Sequence, residues 1–221
     1  MKKAILFGAS GFVGSYLLEE LLNDSDYELV TIMVRKSLNI QHPKLKMLIG
    51  DYSNLPELKE SIVADDVFIA LGTTKKNTPD QSKYYQVDHD YPVLAAKIAK
   101  QNGAKSVFLV TAVGANINSS VFYIRTKGEV ERDIIALDFD HTHIFRPSMI
   151  LGNRKEKRIL EKVFLKIWAV VEPVFIGKQL SKYRGIDAKD IAKAMLNSAK
   201  NQKEKRSIYH WKEMTDSLKN E

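Results

Sequence analysis

The sequence predicts an α/β fold in which helices cover both faces of a doubly wound parallel sheet. Short runs rich in Val, Ile, Leu and Phe alternate with helical segments as far as residue 146 of the 221. A glycine-rich turn directly follows the first of these runs. Alternation of this kind is typical of parallel sheets, because two parallel strands must be joined by a crossover, which is usually a helix.

Six strands and four helices can be assigned in order. The predicted strands are 3–7, 29–34, 46–49, 66–71, 106–111 and 141–146, and the predicted helices are 12–22, 55–61, 84–102 and 121–137. The strands are short and apolar, as expected for strands that are buried on both faces. Gly103 follows the longest helix and is expected to end it, since glycine readily adopts the left-handed conformation found after many helices.

The alternation weakens after residue 146. The features predicted there are an apolar helix around 159–171, a break at Pro173 and Gly177, a helix after Asp187, and a polar tail in which His210 and Trp211 form a docked strand or turn. The apolar helix carries a stripe made of Phe164, Leu165, Ile167, Trp168 and Val171. We interpret this stripe as core packing of a small lid; the alternative is a surface for a substrate, a partner helix or a membrane face.

Composition excludes several classes of protein. There is no cysteine, so disulfides, zinc fingers and a cysteine nucleophile are ruled out. The net charge is +7, but the basic runs near the C-terminal third are diluted by glutamates and lack interleaved aromatic residues. We therefore predict a solvated basic surface and no specific nucleic-acid site. No apolar stretch reaches the roughly 18 residues of a membrane-spanning helix, and we expect a cytoplasmic protein.

The turn after the first strand has the pattern G-x-x-G-x-x-G and opens the first helix. One glycine of such a loop permits a sharp turn, one lets backbone amides approach a pyrophosphate, and the last lets the helix pack against the sheet. The helix N-terminus adds unpaired N–H groups and a partial positive charge. The loop therefore predicts a dinucleotide site in a Rossmann-type fold. Its expected cofactor contacts are Gly8, Ser10, Gly11, Phe12, Val13 and Gly14.

The end of the second strand bears on the choice of cofactor. Sites for NAD usually place Asp or Glu there, to bind the ribose 2′-hydroxyl. This chain has Arg35 and Lys36 instead, and Arg35 follows Gly14 by 21 residues. Because a guanidinium binds a phosphate through two parallel hydrogen bonds, we predict that NADP(H) is favoured over NAD(H). The alternative is that these cations only form a solvated strand end.

Tyr123 and Lys127 form a Y-x-x-x-K pair in the last predicted helix before residue 146. Their spacing puts both side chains on one face of that helix. A neighbouring ammonium stabilises a phenolate and lowers the pKa of its tyrosine, which is near 10 in water. The tyrosine is then able to exchange a proton with a carbonyl oxygen. The pair predicts acid–base chemistry next to the dinucleotide.

With these motifs the chain resembles the short-chain dehydrogenases/reductases, in their atypical branch, and is most similar to the Tat-interacting-protein-like oxidoreductases. The segments that carry the resemblance are 8–14, 70–74, 87–91, 123–131 and 145–147. The resemblance implies that Tyr123 is the catalytic acid/base and that Lys127 also holds the nicotinamide ribose. Further cofactor contacts implied in the same way are Asp51, Tyr52, Ala70, Leu71, Gly72, Pro147 and Ser148.

Two positions depart from the pattern of that family. Its carbonyl-orienting serine stands at the end of the fifth strand, where this chain has Thr111, 12 residues before Tyr123. We predict that Thr111 replaces the serine; if Ala112 is the matching position instead, that hydroxyl is missing. Asp88 stands where many relatives have asparagine, and it either changes a proton relay or faces outward.

His141 and His143 alternate at the start of the sixth strand, a spacing that some metal sites use. We see no third ligand in a matching context. We therefore predict no metal site and interpret this segment as a solvated strand start.

These observations predict one domain over 1–221, with a cofactor-binding core over 1–146 and a small C-terminal substrate or lid region over 147–221. The expected function is an NADP(H)-dependent oxidoreductase acting on a small carbonyl or alcohol, since only 75 residues follow Arg146. The alternative is a catalytically weak NADPH-binding regulatory or redox-sensing protein whose basic, apolar lid contacts a partner. A monomer or a homodimer is expected in either case.

Overall fold

The computed structural model describes residues 1–152 and 181–219. The predicted apolar helix around 159–171, its stripe and the break at Pro173 and Gly177 lie outside the described residues. The basic residues between 154 and 158 lie outside them as well. Within the described part of the chain, no helix is long and apolar enough to cross a membrane.

Seven parallel strands form the main sheet, in the spatial order β3-β2-β1-β4-β5-β6-β9. They are β1 (Lys2–Phe7), β2 (Tyr27–Val34), β3 (Leu45–Ile49), β4 (Asp66–Ile69), β5 (Ser106–Val110), β6 (His141–Phe145) and β9 (Arg206–Tyr209). A separate parallel pair consists of β7 (Ile150–Leu151) and β8 (Ile186–Asp187). The predicted doubly wound α/β fold is confirmed.

Helices connect most of these strands. They are α1 (Phe12–Asn23), α2 (Gln81–Tyr85), α3 (Tyr91–Gln101), α4 (Phe122–Ala136), α5 (Ala188–Lys200) and α6 (Trp211–Ser217), with 3₁₀ turns at Tyr52–Ser61 and Ser181–Tyr183. A π-helical turn, Gln86–Asp90, joins α2 to α3, so the long predicted helix begins earlier than expected and changes pitch within its length. Gly103 follows it with φ of +93°, as expected for a glycine that ends a helix.

The core has two layers, one on each face of the sheet. Consecutive residues of β1 alternate between them: Leu6 packs with α1 and α5, whereas Ile5 and Phe7 pack with α3 and α4. All three side chains are fully buried. Burial on both faces explains why β1 is a continuous apolar run.

The strand order reverses between β1 and β4. From β1 the chain adds β2 and β3 on one side, then crosses to place β4, β5 and β6 on the other. In open sheets of this kind, ligands bind in the crevice beyond the carboxyl ends of the strands at the point of reversal. The glycine loop that follows β1 lies at this point.

The C-terminal region contributes to the sheet domain itself. β9 pairs in parallel with β6 from Thr142–Arg206 to Phe145–Tyr209, and this strand lies in the segment predicted as a polar tail. α5 packs on α1, and its residues Ile191 and Met195 are fully buried in the core. The separation of a lid over 147–221 stays a prediction, because 153–180 are not described.

His143 corrects one prediction. The interpretation of its segment as a solvated strand start is wrong for this residue, which is 1% exposed. Its ring stacks on Phe108 with centroids 4.7 Å apart, and its Nδ1 lies 2.9 Å from the Tyr209 hydroxyl oxygen. Burial lowers the pKa of His143 to about 4, so the imidazole is neutral at pH 7. Neighbouring strands, and not solvent, surround this side chain.

Candidate active site

The glycine loop is closed too tightly for side chains at two of its positions. Gly8 has φ of +95°, and a Cβ there would lie 2.6 Å from the Ala70 carbonyl oxygen. A Cβ on Gly14 would lie 2.0 Å from the Gly8 carbonyl oxygen. The Gly11 N–H donates to the same carbonyl over 2.8 Å. The loop thus brings the start of α1 against β1 and β4, as the sequence predicted.

The start of α1 is suited to an anion. Gly11 is its N-cap residue and makes no side-chain capping hydrogen bond, and the first turn contains no acidic residue. The first N–H groups of a helix have no partner within it, so a phosphate is their natural acceptor. Ser10 is exposed next to them, Phe12 is half-buried and Val13 is buried. The residues present therefore fit the diphosphate of a dinucleotide.

The floor of the crevice follows β4. The Ala70 N–H donates to the Phe7 carbonyl oxygen over 2.9 Å, which continues the pairing of β1 with β4 past the last strand residue. Ala70 and Leu71 are half-buried, and Gly72 is exposed. Ala70 and Leu71 lie against Gly8 of the glycine loop. The cofactor contacts that the family resemblance implies for Ala70, Leu71 and Gly72 stay a prediction.

The far end of the crevice is built from residues that follow β2 and β3. Asp51 accepts hydrogen bonds from the Ser53 N–H and hydroxyl, and these bonds hold the pKa of its carboxyl group below the ordinary value. Arg35 lowers that pKa further by its charge, so the two side chains are close enough to interact. Arg35 and Lys36 are both exposed. The structure therefore places two cations and one carboxylate beside this end of the site.

Tyr52 connects this end to the glycine loop. Its ring stacks on Tyr91 with centroids 5.4 Å apart, and its hydroxyl accepts a hydrogen bond from the Gly8 backbone. Burial, the largest influence, raises the pKa of Tyr52 to about 12. The side chain is thus a neutral wall of the crevice at physiological pH.

Tyr123 and Lys127 occupy one face of α4, as their spacing predicted. Lys127 is 5% exposed, and its Nζ lies 2.7 Å from Asp88 Oδ1. Tyr123 is 41% exposed. Partial burial, the largest influence, raises the pKa of Tyr123; Lys127 opposes this shift and Asp88 adds to it. Asp88 faces inward, so the alternative that it faces outward is excluded.

The ion pair of Lys127 and Asp88 borders the crevice. A Cβ built on Gly72 would lie 3.7 Å from Asp88 Oδ1 and 3.9 Å from Lys127 Nζ, so both charged groups lie close to the floor of the crevice. Asp88 Oδ2 also accepts from the Thr73 N–H over 2.8 Å. Helix α4 is thereby tied to the loop that follows β4.

The side chain of Thr111 contacts Glu131 of α4. It is 5% exposed, and its hydroxyl donates to Glu131 Oε1 over 2.6 Å. Both oxygens of Glu131 also accept from the Arg146 guanidinium. The hydroxyl hydrogen of Thr111 is therefore donated to the carboxylate of the Glu131–Arg146 ion pair. The role of Thr111 in orienting a substrate stays a prediction. The adjacent Ala112 is buried as well and offers no hydroxyl.

The loop after β6 lies beside the segment that contains Thr111. The Pro147 carbonyl oxygen accepts from the Val113 N–H over 2.9 Å. Pro147 is buried and Ser148 half-buried. Both therefore lie at the carboxyl ends of β5 and β6, the side of the sheet on which the cofactor was predicted.

Gly128 has a structural role that was not predicted from the sequence. A Cβ there would lie 2.4 Å from the Ile117 backbone nitrogen, so only glycine allows the chain after Thr111 to cross α4 next to Lys127. A glycine in the middle of an amphipathic helix was the available signal, because such a residue costs helix stability unless another backbone approaches it closely.

Residues 8–202 match the model of a protein family described as NAD(P)H-binding. The chain belongs to the NAD(P)H-binding family. Members of this family bind NAD(P)H, and the glycine loop described above provides a fitting cradle for such a cofactor. The resemblance noted from the motifs is confirmed: the chain is a Rossmann protein of the atypical short-chain dehydrogenase/reductase kind.

Curated relatives of this NAD(P)H-binding protein include two fungal proteins named FMP52, mitochondrial. That of Aspergillus niger is 33% identical over 205 residues, which cover 90% of this chain and 87% of the relative. That of Candida glabrata is 37% identical over 166 residues, which cover 74% and 71%. Protein HTATIP2 of Rattus norvegicus is 34% identical over 161 residues, which cover 71% and 66%.

Solved structures agree with this NAD(P)H-binding fold. The Bordetella bronchiseptica enzyme WbmH, solved in complex with NAD⁺, superposes with a TM-score of 0.72 over 96% of this chain and 75% of its own, at 16% identity. MoeE5 in complex with UDP-glucose and NAD gives a TM-score of 0.69 over 98% and 81%, at 15% identity. At these identities the likeness shows the fold alone.

Proposed function

We propose that the protein is an NADP(H)-dependent oxidoreductase that reduces a small carbonyl compound to an alcohol. The observation that carries this proposal is the position of Tyr123 and Lys127 on one face of α4, with Lys127 beside the crevice floor at Gly72. A tyrosine and a lysine at the edge of a dinucleotide site are the groups that a proton transfer to a carbonyl oxygen requires.

The chemistry divides between the cofactor and this chain. When bound, the cofactor would supply a hydride for the carbonyl carbon. The Tyr123 hydroxyl donates its proton to the carbonyl oxygen, and the Lys127 ammonium stabilises the phenolate that remains. The pKa of Tyr123 lies above the ordinary value near 10, so the hydroxyl is in its protonated form at neutral pH, as reduction needs. The proposal rests on Tyr123 and Lys127, since Thr111 already donates its hydrogen to Glu131.

A preference for NADP(H) over NAD(H) is part of the proposal. Arg35 and Lys36 follow β2, where an NAD site usually has an acidic residue. Both side chains are exposed, and thus free to reach a 2′-phosphate. Asp51 lies close to Arg35 but follows β3, and the Ser53 hydrogen bonds already hold its carboxylate.

We propose a cytoplasmic location, although the fungal relatives bear the designation mitochondrial.

One observation favours a second function, an NADPH-binding regulatory protein with weak or no turnover. The hydroxyl that was predicted to orient the substrate carbonyl donates to Glu131, and the neighbouring residue is Ala112. A cofactor site without a carbonyl-orienting donor would report the redox state of the NADP pool to a protein partner. In this case NADPH binds with the same preference but no carbonyl is reduced.

The experiment that tests the proposal begins with calorimetric titration of the full chain with NADPH and, separately, NADH. Tight binding of NADPH and weaker binding of NADH are expected. A panel of small aldehydes and ketones is then screened for NADPH oxidation, with Tyr123→Phe as the control. Turnover that Tyr123→Phe lowers by about 10²-fold or more, with NADPH affinity unchanged, supports the oxidoreductase. Binding without turnover across the panel supports the regulatory protein.

A further inference from the structure

Asp88 is buried at the centre of the π-helical turn Gln86–Asp90, and only 2% of it is exposed. Its two carboxylate oxygens accept from different elements. Oδ1 lies 2.7 Å from Lys127 Nζ on α4, and Oδ2 lies 2.8 Å from the Thr73 nitrogen in the loop after β4. A buried carboxylate that takes part in two charge-assisted contacts is held firmly in place.

An amide at this position would not serve both contacts. Lys127 and the Thr73 N–H are both donors, so each needs an acceptor in front of it. A carboxylate offers two acceptor oxygens, whereas asparagine offers one oxygen and one NH₂ group that only donates. An asparagine at residue 88 would therefore set a donor against one of these donors. The two observed contacts each need an acceptor, and the acid supplies both.

The charge of Asp88 acts on Tyr123 as well. Among the described residues, two charged groups shift the pKa of Tyr123: Lys127 on its own helix and Asp88 on the π-helical turn. Tyr84 on α2 also interacts with Tyr123, which helps to raise the pKa of Tyr84. The loop 111–121, which crosses α4, contains no ionisable side chain. Lys127 and Asp88 therefore act on the same hydroxyl with opposite signs.

We infer that Asp88 is a positioning residue for the Tyr123–Lys127 pair: it fixes the Lys127 ammonium beside the crevice floor and cancels part of its charge at the Tyr123 hydroxyl. The inference rests on the proposed function for its meaning, since it concerns the acid of that reaction. Its consequence is that Tyr123 in the free protein stays protonated to a higher pH than it would beside Lys127 alone. Cancellation of part of the lysine charge thus leaves the Tyr123 hydroxyl in the protonated form that reduction requires, and makes it a weaker acid than Lys127 alone would make it.

The chain offers a matched control in Asp133. Asp133 Oδ2 lies 2.9 Å from Nε2 of His89, the residue after Asp88, so it also ties the π-helical turn to α4 by a charged contact. Asp133 is not among the groups that shift the pKa of Tyr123. Asp133→Asn therefore weakens the attachment of the same two elements without removing the charge that faces Tyr123.

The test is a pH titration of the full-length protein without cofactor or substrate. The chain contains nine tyrosines, so the protein is labelled with fluorotyrosine and followed by ¹⁹F NMR, with the Tyr123 resonance assigned from Tyr123→Phe. Far-UV circular dichroism at each pH confirms that the protein stays folded. We expect Asp88→Asn to lower the pKa of Tyr123 by about one unit or more, and Asp133→Asn to leave it where it is.

An unchanged pKa of Tyr123 in Asp88→Asn would overturn the inference, and so would an equal shift in Asp133→Asn, which would indicate a structural effect alone. If Asp88→Asn does not fold, the comparison is made between Lys127→Met and the double variant Asp88→Asn/Lys127→Met, which buries no net charge. In this comparison the inference requires the pKa of Tyr123 to be lower in the double variant than in Lys127→Met, because only the double variant lacks the charge of Asp88. Because the titration measures no turnover, its result for Asp88 is the same whether or not the protein reduces a carbonyl.

Discussion

The hydroxyl of Thr111 donates to Glu131 Oε1 over 2.6 Å and so joins the chain after β5 to helix α4. Glu131 is 4% exposed and also pairs with Arg146, the residue that follows β6. The three side chains connect two strand ends to the helix that bears Tyr123. Their contacts stabilise the frame of the candidate site.

Replacement of Thr111 by valine separates a role in stability from a role in orienting the substrate. Thr111→Val removes a buried hydrogen bond to a charged group, so we expect the free energy of unfolding to fall by about 1–3 kcal/mol in urea denaturation. For any carbonyl that the protein reduces, kcat/KM is expected to fall less than about tenfold, well below the roughly 10²–10⁴ of a lost acid–base group. Thr111→Ser, which keeps the hydroxyl, is the matched control. A fall in kcat/KM of about 10³ without loss of stability would instead make Thr111 the donor to the substrate.

Exchange of Arg35 tests the cofactor preference. Arg35→Asp replaces a cation by an anion where the 2′-phosphate is expected, so affinity for NADPH should fall by about tenfold or more while NADH binding holds or improves. Calorimetric titration with both cofactors measures this directly. Lys36→Asp makes the same change in charge at the next residue and is expected to act more weakly. The assignment of Arg35 fails if both cofactors bind the variant as they bind the wild type.

Gly14 is the position in the loop that tolerates a methyl group least. In Gly14→Ala the new Cβ would lie 2.0 Å from the Gly8 carbonyl oxygen, so α1 has to move away from β1. We expect a loss of about 2 kcal/mol or more in stability and no detectable NADPH binding. Gly103→Ala is the control: its φ of +93° is unfavourable for alanine, but no atom lies within 4 Å. That variant should lose only about 1 kcal/mol and bind NADPH normally, as measured by urea denaturation and calorimetry.

His143 makes stability depend on pH in a defined window. The native state keeps its ring neutral down to a pKa of about 4, whereas the unfolded chain takes up the proton near 6.5. Between these values the unfolded state binds more protons, so stability falls as the pH falls. It is unaffected by this group above about pH 7. The whole effect amounts to about 3 kcal/mol.

Urea denaturation of the wild type and of His143→Phe at about pH 7 and about pH 4.5 measures this contribution. Phenylalanine keeps the stacking on Phe108 but has no proton to gain, so the variant should lose less stability than the wild type between the two pH values. His141→Phe, at a half-exposed position of the same strand, should follow the wild type. An equal loss in His143→Phe and the wild type would show that other groups cause the pH dependence.

Much of the fold could be predicted because its signals are local. The apolar run of β1, the glycines at 8, 11 and 14, and the change to helical spacing after them all lie within one short segment at the start of the chain. β9 was missed for a physical reason: it is an edge strand whose Arg206 and Ile208 are exposed and whose Ser207 and Tyr209 are only half-buried. Its pairing with β6 depends on residues far away in the chain, which no local pattern records.

Part of the geometry of the candidate site could be predicted as well. The spacing of Tyr123 and Lys127 fixes their common face because α4 is a regular helix. The inward orientation of Asp88 could not be derived, since the π-helical turn Gln86–Asp90 breaks the 3.6-residue period on which such assignments depend. The bond from Thr111 to Glu131 joins residues from two different elements and is visible only once they are packed.

The position of β9 also governs when the sheet is completed during synthesis. β6 ends at Phe145, yet the strand that covers its outer edge ends only at Tyr209. While the intervening chain is still being translated, β6 presents unpaired amides and carbonyls to its surroundings, as any open edge does. A nascent chain that stalls in this interval, or a product truncated before Arg206, is therefore expected to pair through β6 with another polypeptide, which the full chain prevents.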